Sequence, residues 1–164
     1  MGDANGHTEG LGDVIILTKY RLAGAEHWAW SVAGRLKTPS GEEDKFLGTG
    51  ETDGGIRTIF SFRLNKLEAN LEAGYTWSGL DSRLDSLAYR AGLAYGITET
   101  LTLDAEIIGS YSRESVFDTI DAGFGFKFNP TGGLVIQGGV RIPLDPGDGL
   151  RSDFAPTLGL EWRF

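Results

Sequence analysis

Few residues in this 164-residue chain have the types and spacing that chemistry would require. Asp104 and Glu106 stand two apart, which on a strand puts both carboxylates on one face, the arrangement a paired general acid and base would need. Arginines on neighbouring strands would convert the same pair into part of a salt-bridge ladder, and no Ser/His or Asp/His pair shares a strand rim with it. His7 and His27 are the only histidines, and neither has a further ligand at metal-binding spacing. Gly48, Gly50 and Gly54 are not followed by Lys-Ser or Lys-Thr, so they form no phosphate loop. Asp145, Asp148 and Asp153 miss the fixed spacing of a calcium loop. Cysteine is absent, which removes disulfides and thiolate chemistry. The expectation is a protein that is not an enzyme and uses neither cofactor nor metal.

The charges are more informative as a pattern than as catalysts. With 15 basic and 23 acidic residues the formal charge is -8, which argues against a nucleic-acid partner. The longest apolar run, Val14 to Leu17, is far too short for a membrane-crossing helix, and the first ten residues lack the basic start and apolar stretch of a signal peptide. Residues 1–10 read as a disordered or truncated N-terminal segment ahead of a single domain over 11–164.

What positions the charges is a period of two. Alternation of apolar and polar residues predicts nine strands at about 13–22, 27–38, 55–64, 67–78, 87–97, 101–111, 118–128, 133–143 and 154–164. Ten residues exceeds the usual globular strand and matches the length that crosses a bilayer at a tilt of about 45°. One face of every segment is apolar and uncharged, from Val14, Ile16 and Tyr20 in the first to Leu158, Leu160 and Trp162 in the last. Aromatic residues gather toward the strand ends, among them Trp28, Trp30, Tyr75, Trp77, Tyr95, Tyr111, Phe126 and Phe128. The other face is small or charged: Lys19, Arg21, Arg35, Lys37, Arg57, Arg63, Arg90, Lys127, Arg141 and Arg163 against Asp13, Glu68, Glu72, Asp104, Glu106, Asp121 and Glu161. A soluble barrel would turn the apolar face inward. Apolar faces this continuous, with aromatic girdles at their ends, favour the inverse: an antiparallel up-and-down transmembrane β-barrel of the bacterial outer membrane, with the charged set lining the lumen. Ile15, Leu17, Ile59, Ile108 and Val135 interrupt the polar face, either lining a route for an apolar solute, packing locally or marking a bulge.

Connections alternate between short turns (Ala23 to Glu26, Asn65-Lys66, Thr98 to Thr100, Asn129 to Gly132) and longer loops (Pro39 to Gly54, Ser78 to Ser86, Ser112 to Phe117, Leu144 to Asp153). The longer loops carry most of the acid, including Asp53, Asp81 and Asp85, while the polar strand face is mixed and slightly basic. This is the periplasmic and extracellular asymmetry of outer-membrane barrels. Nine strands closed on themselves would set the first and last parallel, whereas single-chain bacterial barrels have an even antiparallel count. Either further N-terminal strands belong to the barrel or a segment is divided wrongly and the count is eight or ten.

Three stretches carry a family resemblance: Gly10-Leu-Gly-Asp-Val14, Gly34-Arg-Leu-Lys-Thr-Pro-Ser-Gly41 and Gly48-Thr-Gly-Glu-Thr-Asp53. With the strands that follow, they resemble the outer-membrane transporter family labelled MetA-pathway of phenol degradation. The resemblance implies about three further strands before Gly10, a barrel of twelve, and small solutes of aromatic or poorly polar character. Leu158, Leu160, Trp162 and the terminal Phe164 look like an outer-membrane assembly signal, read by barrel assembly machinery through strand addition. The remaining expected partners are outer-membrane lipid and lipopolysaccharide. The function expected is passive passage of small solutes; the rival is a closed structural or adhesion barrel whose interior charges block the lumen.

Overall fold

The computed structural model describes residues 10–42, 47–112, 118–145 and 154–162. They form one antiparallel sheet of nine strands, hydrogen-bonded in chain order from β1 to β9. The strands are β1 Val14–Gly24, β2 Trp28–Thr38, β3 Asp53–Leu64, β4 Leu67–Trp77, β5 Ser86–Gly96, β6 Leu101–Ser112, β7 Thr119–Thr131, β8 Leu134–Asp145 and β9 Ala155–Trp162. Every expected strand is present, and the ends that fall among the described residues are displaced by three residues or fewer; the expected end of the last strand, at 164, lies outside them. Asp53 and Asp145, read as loop residues, instead begin β3 and end β8. The loop after β4 contains a single 3-10 turn at Ser82–Leu84, capped by the Asp81 carboxylate on the Arg83 amide, that alternation could not reveal. No helix among the described residues is long and apolar enough to cross a membrane.

Register fixes the two faces. Pairing runs without slippage from β2 to β6, so the alternation of one strand is handed intact to the next. Irregularities occur between Arg21 and Ala23 in β1 and near both ends of β7, where β7 meets β8. The β3–β4 turn places Asn65 at φ 53°, a left-handed conformation that asparagine tolerates better than most residues.

Val135 is the one large apolar side chain buried among the described residues, at 4% exposure. Most of the other large apolar residues lie on the open outer face, including Ile56, Leu71, Leu93, Ile107 and Phe124. Residues there satisfy one another laterally. Trp30 donates its indole N–H to Thr58 Oγ1 at 2.8 Å, and the Trp28 and Phe60 rings stack with centroids 6.0 Å apart. The Trp77 ring lies over Gly54 and the Tyr89 ring over Gly109, each occupying space that a Cβ would need. Glycine at these two outer positions lets an aromatic ring from the paired strand cover the backbone.

The sheet is not closed: β1 and β9 form its two edges, and they run in the same direction.

Candidate functional site: the charged inner face

Pairing places Lys19, Arg21, Arg35, Lys37, Arg57, Arg63, Glu68, Glu72, Arg90, Asp104, Glu106, Asp121, Lys127, Arg141 and Glu161 on the face opposite the apolar one. Arg163 and Phe164 lie outside the described residues, as does the segment 1–9. One lateral row reads Arg21, Ser31, Ile59, Glu72, Arg90, Ile108, Asp121 and Pro143 from β1 to β8. Ile15, Leu17, Ile59, Ile108 and Val135 all belong to this inner face by register; the first four sit in regular pairing, and Val135 lies beside the irregularity between β7 and β8. The face is concave: Lys19 of β1 and Asp104 of β6 line the same hollow of about 340 Å³.

Cross-strand ion pairs occupy part of it. Arg57 meets Glu72 at 3.0 Å and Arg63 meets Glu68 at 2.8 Å, both between β3 and β4; Arg90 lies 3.6 Å from Glu106 between β5 and β6. Glu106 is thus part of a ladder, whereas Asp104, its expected companion, has no cation within ion-pair distance among the described residues. Small residues leave room for these side chains, with Gly123 and Gly125 lying under Glu106 and Asp104.

The densest cluster sits where β1, β2 and β3 meet their long-loop ends. Lys37, 8% exposed at its side chain, contacts Asp53 at 2.7 Å and Asp13 at 3.3 Å, and also donates to Thr49 Oγ1. Asp13 in turn accepts from the amides of Gly41 at 3.0 Å and Thr49 at 3.2 Å. These backbone donors, with Lys37 behind them, hold the Asp13 carboxyl below its ordinary value. Asp53 accepts from the Gly79 amide at 3.1 Å, which ties in the following loop. A side chain at Gly48 would collide with the Asp13 carboxylate, so glycine is required there by close approach. Alternation alone assigns Lys37 and Asp13 to the polar face, leaves Asp53 in a loop and gives Thr49 no role. The signal available was the clustering of Asp, Lys, Thr and Gly in three separate short stretches.

Those three stretches, Gly10 to Val14, Gly34 to Gly41 and Gly48 to Asp53, therefore converge on one charged knot. A family model described as "Putative MetA-pathway of phenol degradation" matches residues 1–153. The chain belongs to that family. No curated protein matches the chain. The matched span in this member of the phenol-degradation family takes in β1 to β8 and the whole of the charged knot. Chemically, the inner face offers paired and unpaired charges along a concave wall. Among the described residues no group of three or more His, Cys, Asp or Glu could hold a metal ion.

Proposed function

We propose that this chain forms the wall of an outer-membrane β-barrel through which small solutes, aromatic compounds among them, diffuse along the charged face. The observation that carries the reading is the inverted distribution of polarity. A water-soluble domain of this size buries its large apolar residues; here Val135 is buried while Ile56, Leu71, Leu93 and Phe124 are more than half exposed. A bilayer is the solvent in which that distribution is stable, and the band of aliphatic residues flanked by Trp28, Tyr95, Phe128 and Trp162 at one rim and Tyr75, Trp77 and Tyr111 at the other has the layout of a membrane barrel. The family description supports aromatic compounds as the solute class.

Because β1 and β9 run in the same direction, closing an antiparallel barrel around this wall takes an odd number of further strands; three gives twelve. Under the same reading the short turns are periplasmic, the acidic loops face outward toward lipopolysaccharide, and Leu158, Leu160 and Trp162 present the apolar repeat recognised by assembly machinery. Leu158 and Leu160 are 77% and 72% exposed on edge strand β9, open to such an encounter. Passage involves no bond making. The ladder of Arg57, Glu72, Arg90 and Glu106 favours a second reading, a plugged structural barrel. Folded protein reconstituted in planar bilayers decides between them. Discrete conductance steps are expected, and their absence from bilayers shown to contain folded barrel overturns the channel reading.

A further inference from the structure

The cations of the β1–β3 sector can be accounted for one by one. Lys37 is neutralised by Asp13 and Asp53, Arg57 pairs with Glu72, and Arg63 pairs with Glu68. Arg21 donates to the carbonyls of Ala25 and Trp28 at 3.3 and 3.4 Å, in the β1–β2 turn. Lys19 and Arg35 are left without an ion pair: among the described residues neither has a carboxylate within ion-pair distance, and Arg35 attracts Asp53 only at longer range. They are diagonal neighbours, Arg35 opposite Leu17 and Lys19 opposite Ala33 in the β1–β2 register. Two like charges side by side repel, and an anion shared between them removes that cost.

The surroundings say what kind of anion. A hollow of about 320 Å³ is lined by Leu17, Lys19, Ala33, Arg35, Arg57 and Ile59, with Ile56, Tyr75 and smaller residues completing its wall, and no Asp or Glu lines it. Leu17 and Ile59 are apolar residues on an otherwise polar face, and both line this space along with the two cations. We propose that this hollow binds a small organic monoanion, an apolar body of about one ring carrying a single carboxylate. The body rests on Leu17 and Ile59, and the carboxylate is taken by Arg35, whose planar fork suits it, with Lys19 alongside. Lys19 also borders the neighbouring hollow that contains Asp104 and Glu106, whose negative field opposes an anion, so Arg35 carries the larger share. The inference rests on the solute-passage reading and specifies its substrate class.

Equilibrium binding of benzoate and of its neutral counterpart benzyl alcohol to the folded protein in detergent tests it, without requiring conduction. Benzoate should bind more tightly than benzyl alcohol. Arg35→Gln should weaken benzoate about tenfold, the equivalent of one charge-assisted hydrogen bond, and Lys19→Gln should weaken it less. Leu17→Ser should weaken benzoate while leaving acetate unchanged, and Arg141→Gln, on distant β8, should leave both as they were. Equal affinity for benzoate and benzyl alcohol, or undiminished benzoate binding by folded Arg35→Gln protein, overturns the site. Conductance without benzoate preference fells the site and leaves the channel standing; benzoate binding without conductance does the reverse.

Discussion

Lys37 and Asp53 face each other at one register position of β2 and β3, ammonium to carboxylate at 2.7 Å, and through Asp13 they fasten both ends of the β2–β3 loop to the start of β1. The three stretches that carry the sequence resemblance are thus joined by one cation. Their chemistry is that of a clasp for the long-loop rim: Asp13 and Asp53 are satisfied by backbone amides and by Lys37.

Replacing that cation should loosen the rim and little else. In Lys37→Met the carboxylates of Asp13 and Asp53 lose their common counter-charge and repel each other. Hydrogen exchange should quicken several-fold at the amides of Gly41, Thr49 and Gly79, which donate to those acids, while mid-strand amides such as that of Leu71 hold their wild-type rates. Uniform acceleration across the sheet would instead make Lys37 a global support.

The clasp should be insensitive to mild acid. Asp13 is held below its ordinary carboxyl value of 3.8 by the Gly41 and Thr49 amides and by Lys37. A lowered folded value means that its contribution is present above the unfolded value and is lost as pH falls through the folded one, so the change comes below pH 3.8. The amide protons of Gly41 and Thr49 should keep their chemical shifts from pH 7 to about pH 4 and move together below that, and Asp13→Asn should abolish the movement. Titration near pH 5 would contradict this arrangement.

An aromatic ring over glycine makes a packing prediction. Gly109→Val places a branched side chain where the Tyr89 ring now lies, and overpacking of this kind costs about 1–3 kcal/mol. Tyr89→Ala in the same chain should recover part of that loss, because the ring itself is the obstacle. Urea midpoints of the single and double variants in lipid vesicles measure the coupling; additive losses would remove the ring from the account.

Much of the fold was legible because a strand has a strict period of two and this sheet keeps it: Arg57, Ile59 and Ser61 share a face whatever the neighbouring strands do. Even the apolar exceptions Leu17 and Ile108 stay on the face that counting gave them. Contacts made across sequence distance were not legible. That Asp53 turns toward Lys37, that Asp85 accepts from the Tyr75 hydroxyl and the Ser78 amide at 2.8 Å each, and that Glu106 rather than Asp104 takes Arg90 depend on stagger and loop path. Alternation carries no information about either.

The Arg57–Glu72 pair should matter for passage and hardly at all for stability. Arg57 is about half exposed, and pairs of that kind contribute about 1 kcal/mol or less. Glu72→Gln should therefore leave the urea midpoint nearly unchanged. By freeing Arg57 it adds positive charge to the concave face, so reversal potentials in a salt gradient should shift toward anion preference. A large stability loss with unaltered selectivity would place the pair in the scaffold.

The sharpest discrimination comes from two adjacent isoleucines on opposite faces. Ile107 is exposed on the apolar outer face at mid-strand, between Ala91 and Ala122, while Ile108 lies on the inner face between Arg90 and Asp121. If the outer face meets lipid, Ile107→Arg carries a guanidinium to the bilayer midplane at a cost of about 2–4 kcal/mol. Ile108→Arg puts the same group beside the Asp121 carboxylate in a polar interior and should cost much less. If the outer face met water instead, the order would reverse, because an exposed isoleucine tolerates arginine. Urea unfolding of both variants from phosphatidylcholine vesicles reads the difference directly: greater loss for Ile107→Arg is expected, and equal or inverted losses would exclude lipid from that face.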